Sequence, residues 1–136
     1  MIRRIKLKAL ALGILAGLGV SFALSIILAI ALRSEMAGTP SPGAALASST
    51  SMLVGSLASS LFASFLAGLV GARAAPKAPV LNAFAVGALI VVLSVFLLAP
   101  TGASEYPLTY NAFAIGLAIP LALLGGKLAA RRAVTR

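Results

Sequence analysis

Hydroxyls and cations are the only chemistry-bearing side chains this chain carries in number. Its 136 residues hold eleven Lys and Arg against two acids, Glu35 and Glu105, with no His, Cys or Asp. General acid–base catalysis draws on His and paired carboxylates, and metal sites on His, Cys and carboxylates, so neither has its parts here. The absence of cysteine also excludes disulfides, thiolate chemistry and iron–sulfur ligation. One nucleophilic pairing, a Ser–Lys dyad, is open to this composition. Yet Lys6, Lys8, Lys77 and Lys127 all flank apolar runs instead of lying within them. The sequence therefore predicts no catalytic residue, no metal, no cofactor and no enzyme.

The elements that position these residues follow from hydropathy. Apolar residues make up 61% of the chain and charged ones 10%, with a mean hydropathy of +1.13, against about 25% charged in a soluble domain. Charge-free runs extend over Ala9 to Leu32, Met36 to Ala72, Ala78 to Ser104 and Tyr106 to Gly126. Each exceeds the roughly 20 residues that cross a bilayer core as a helix. The second run is too long for one helix and opens on Ala37-Gly-Thr-Pro-Ser-Pro-Gly43, which reads as a loop. Pro76 and Pro79 punctuate the next connection, and Pro100, Gly102 and Pro107 the last. The expected fold is an all-α single domain over 1–136, an integral membrane bundle of four helices at about 5–32, 48–73, 79–99 and 109–131. The first run, with its basic start and Ala29-Ile-Ala31, resembles a signal peptide in outline. Its 24 uncharged residues exceed the about 7–15 of a signal core, which favours an uncleaved span.

Ten of the eleven cations fall on one side of such a four-span chain. Arg33 alone lies opposite, with both acids. By the positive-inside rule both termini are cytoplasmic, in a bacterial-type inner membrane. This accounts for the +9 charge without nucleic acid. Arg3, Arg4, Lys6 and Lys8 at one terminus, with Arg131 and Arg132 near the other, are expected to meet anionic headgroups. Tyr106 and Tyr110 fall at the opposite, outer end of the fourth helix, as interfacial aromatics do.

Small residues recur every four positions in two helices. Ala9, Gly13, Gly17, Ser21, Ser25 and Ala29 form one row, and Gly55, Ser59, Ala63, Ala67 and Gly71 another. Because lipid is as apolar as leucine, membrane helices associate by close backbone approach, which such rows allow. The rows are expected to pack the first helix on the second, or to dock a second copy or another subunit. A neighbouring row, Ser56, Ser60, Ser64, Gly68 and Ala72, widens this face enough for two neighbours. A serine-lined pore is a third reading, although helical serines usually bond the carbonyl four residues back.

Three further features stand out. Asn82-Ala-Phe-Ala-Val-Gly87 and Asn111-Ala-Phe-Ala-Ile-Gly116 nearly repeat at two helix starts, and each is expected to serve its own helix start. Pro120 removes a donor and presses on the carbonyl of Gly116, predicting a kink there. Gly126-Lys-Leu-Ala-Ala-Arg-Arg132 resembles the cytoplasmic loop motif Gly-x-Leu-Ala-Asp-Arg-x-Gly-Arg of major-facilitator transporters. Ala130 stands where that motif has its aspartate, and no function is carried across.

No ionisable residue lies in the inner part of any predicted span, whereas proton-coupled carriers place one there. The expected function is that of a non-enzymatic accessory or assembly subunit, contacting lipid and other membrane subunits or itself. The alternative is a homo-oligomeric channel or facilitator for a small solute.

Overall fold

A computed structural model describes residues 6–33, 37–38, 49–98 and 107–134. Four helices make up nearly all of them: α1 Leu7–Ala31, α2 Thr50–Arg73, α3 Pro79–Leu98 and α4 Leu108–Val134. The described residues contain no strand. All four helices are long and apolar enough to cross a membrane.

Local chemistry sets the helix ends. The Ser49 hydroxyl accepts the Met52 N–H at 3.4 Å and caps α2, satisfying one of the donors that a helix start leaves unpaired. Pro79 opens α3, where its fixed φ suits the first helical position and its missing N–H costs nothing. Of the turn expected over 37–43, Ala37 and Gly38 are described. Gly38 has φ +92°, a left-handed conformation that glycine adopts without steric penalty.

The four helices run up and down, with α2 at the centre between α1 and α4. α3 packs mainly on α4 and α2, and lightly on α1. The interior is built from small residues. Ala9, Ala63, Ala67, Ala72, Ala83, Ala118, Ala122 and Ala129 are buried, while Phe22 and Phe96 are 70% and 76% exposed. In water such an outward surface would be an aggregation hazard; in lipid it is solvated, and the small interior lets backbones approach closely. A Cβ at Gly68 would meet the backbone of Ala122, and one at Gly125 the backbone of Phe65. Dispersion between closely spaced backbones then takes over the part that hydrophobic burial plays in a soluble core.

Candidate functional site: an uncharged cavity between four helices

The packing is uneven along the bundle. At the end where α1 and α3 begin and α2 and α4 finish, Leu69, Ala72, Ala83 and Ala129 form a buried cluster, and Gly126 admits Ala83. Asn82, 0% exposed, ties this end together. Its Oδ1 accepts the Lys6 backbone N–H at 3.0 Å and its amide donates to the Ala78 carbonyl at 2.8 Å.

Toward the other end the helices part around a cavity of about 440 Å³. From α1, Gly17, Leu18 and Ser21 line it; from α2, Ser60, Ala63 and Ser64. α3 supplies Ile90, Val91 and Ser94, and α4 supplies Tyr110, Asn111, Ala114, Ile115 and Ala118. None of these residues is a Lys, Arg, His, Asp or Glu. On α4 the wall descends eight residues from Tyr110 to Ala118, or about 12 Å at 1.5 Å per residue.

Two of the serine protons here are already engaged. Ser64 donates to the Ser60 carbonyl at 2.9 Å, and Ser60 to the Leu57 carbonyl at 2.9 Å. Such backbonding leaves each hydroxyl oxygen with lone pairs to offer. The Tyr110 hydroxyl lies 2.9 Å from the Ser56 hydroxyl and joins α4 to α2. Tyr110 is half-buried in the bundle, and Tyr106 lies outside the described residues. The Asn111 carboxamide has no hydrogen-bond partner among the described residues.

The small-residue rows divide between packing and cavity. Gly13 and Gly17 are buried on α1, and Ala63, Ala67 and Gly71 on α2. A Cβ at Gly17 would lie 2.9 Å from that of Ala67, and one at Gly13 would meet the Ala67 carbonyl at 2.9 Å. Ser21 faces the cavity, and Ser25 is exposed, donating to the Ser21 carbonyl at 2.8 Å. A row of four-residue steps drifts by about 40° per step on a helix of 3.6 residues per turn. Ser25 has thus rotated out of the α1–α2 seam, and Leu28 covers Gly55 in its place. Ser59 donates to the Gly55 carbonyl at 2.8 Å. The neighbouring row containing Gly68 faces α4 of the same chain, so both sides of the wide α2 face are used internally.

The remaining predicted residues lie outside the cavity. α4 continues as helix through Pro120, and Gly116 and Pro120 are exposed. Lys6, Lys8, Arg131 and Arg132 are exposed at the tightly packed end, while Arg3 and Arg4 lie outside the described residues. The described residues contain no group of His, Cys, Asp or Glu able to hold a metal. Comparison with protein families, characterised proteins and solved structures returned no match. The chain is thus defined by its own geometry, as an all-α bundle of four candidate membrane-spanning helices.

Proposed function

We propose that this chain is a non-enzymatic inner-membrane subunit, with both termini cytoplasmic, that packs laterally against another membrane protein or a further copy of itself. The observation that supports this is the outer face of α4. Ala112, Gly116 and Pro120 lie one turn apart and are exposed, and a Cβ at Gly116 would meet nothing within 4 Å. A glycine facing lipid bares its backbone without gaining dispersion contacts, whereas against a neighbouring helix it permits the close approach that drives association.

The free space at Gly116 makes the reading testable. Gly116→Leu leaves the chain's own packing intact, so its effect reports on a neighbour. Isolation from the membrane in mild detergent, followed by native mass spectrometry, is expected to recover the wild-type chain in a larger assembly. Gly116→Leu is expected to release a folded monomer. An unchanged assembly, or a wild-type chain recovered only as monomer, would overturn the reading.

The cavity favours a second reading, a facilitator for a small uncharged solute. Its walls of hydroxyl, carboxamide and apolar groups include no acidic or basic side chain for ion coupling. Flux of a neutral solute into liposomes holding the pure chain alone would select this reading over the first.

A further inference from the structure

We propose that the cavity between the four helices is a binding site for a neutral single-chain amphiphile, an apolar tail carrying an uncharged hydroxyl head. Its volume of about 440 Å³ falls within the roughly 300–1,000 Å³ of small-molecule sites, which are mostly apolar with a few placed polar groups. At roughly 30 Å³ for a water-sized group, it holds about fifteen such groups, enough for one alkyl chain of moderate length and a head. A two-tailed phospholipid is several times too large.

The lining selects the chemistry. Leu18, Ile90 and Ala118 give apolar walls, and Tyr110 and Asn111 stand together in the opening turns of α4. Asn111 contributes both donors and an acceptor that no described residue engages. The Ser60 and Ser64 protons are held by backbone carbonyls, so their oxygens are left to accept from a hydroxyl. No acidic or basic side chain is among the described residues that line the cavity, and a charged head in a membrane cavity bears a large desolvation cost. Leu18, 57% exposed, stands where the wall meets the surface of the bundle. A molecule dissolved in the bilayer thus has a route into the cavity from the side.

The experiment uses the full-length chain in phosphatidylcholine nanodiscs with a diazirine-bearing dodecanol, and maps crosslinks by peptide mass spectrometry. Labelling is expected at Gly17–Ser21 and Tyr110–Ala118. Dodecanol in tenfold excess over the probe is expected to reduce it about tenfold. Equal concentrations of dodecanoate, dodecyltrimethylammonium and glycerol are expected to leave it unchanged. Ala114→Leu, which fills the cavity, is expected to lower labelling to the same degree, with helicity by circular dichroism confirming that the variant folds. Ser21→Leu, on the more open α1 wall, provides the same reading if Ala114→Leu does not fold. Labelling spread over the outward faces of Phe22 and Phe96, equal competition by the charged amphiphiles or by glycerol, or labelling indifferent to both fillings, would each overturn the proposal.

Discussion

Asn82 Oδ1 accepts the backbone N–H of Lys6 at 3.0 Å, so the start of α3 holds the start of α1 across 76 residues of chain. The N–H groups opening a helix have no partner within it, and this carboxamide takes up one of them while its amide bonds the Ala78 carbonyl. Asn111 occupies the matching place in the near-repeat but makes no such bridge among the described residues. Asn82→Ala is expected to destabilise the protein by about 1–3 kcal/mol through a lost buried hydrogen bond and an orphaned donor. Asn111→Ala is expected to change stability little. Thermal unfolding of the two variants in the same detergent checks this, and equal losses would contradict the asymmetry.

Glycine position, more than glycine content, governs the tolerance of this bundle. Gly68→Ala and Gly125→Ala each drive a methyl into the backbone of a neighbouring helix, which no rotamer change relieves. Each is expected to cost about 3 kcal/mol by overpacking. At Gly19 and Gly116 nothing in the chain lies within 4 Å of a Cβ, so in the dissociated monomer Gly19→Ala and Gly116→Ala are expected to be neutral or to stabilise by up to about 1 kcal/mol through helix propensity. Unfolding midpoints in dodecylmaltoside distinguish the pairs. A stable Gly68→Ala would show that the α2–α4 approach is looser than described.

Helix number and approximate boundaries are readable from the sequence because hydropathy and turn residues are local signals. α2 was expected over 48–73 and is Thr50–Arg73; α3 was expected from 79 and begins at Pro79. The small rows were readable too, but their partners were not. A row of small residues states that something approaches closely, without naming what. Gly68 could have faced a second copy, and it faces Ala122 of α4. The near-repeat predicts that Asn82 serves its own helix start, which it does through Ala78. Its bond to Lys6 is a long-range relation that no local pattern encodes. The cavity was hidden for the same reason, since Ser21, Ser64, Ser94 and Asn111 come from four helices and each alone reads as an ordinary polar residue.

The cation distribution gives a topology expectation. Reporters fused after Arg136 and within Pro76–Pro79 are expected to be cytoplasmic, and one within Thr39–Gly43 external, because ten of eleven cations share one side of a four-span chain. Paired alkaline phosphatase and fluorescent-protein fusions read the two sides oppositely. An external reporter after Arg136 would invert the orientation proposed here.

The basic amino-terminus is expected to contribute headgroup contact beyond orientation. Lys6 and Lys8 are exposed where α1 begins, and Arg3 and Arg4 precede them in sequence. Cations close to an anionic leaflet each contribute about 1 kcal/mol, an attraction that fades within a Debye length. Replacing all four with Gln is therefore expected to reduce the phosphatidylglycerol retained by the purified full-length chain, measured by native mass spectrometry. The difference from wild type is expected to shrink when both are extracted at high salt, where a Debye length of about 3 Å at 1 M screens exposed charge. Orientation is expected to survive, because Arg73, Lys77, Lys127, Arg131, Arg132 and Arg136 still bias the same side. Equal lipid retention in the variant would reduce these four cations to topology signals. An inverted carboxyl-terminal reporter would instead show that the first helix alone dictates orientation.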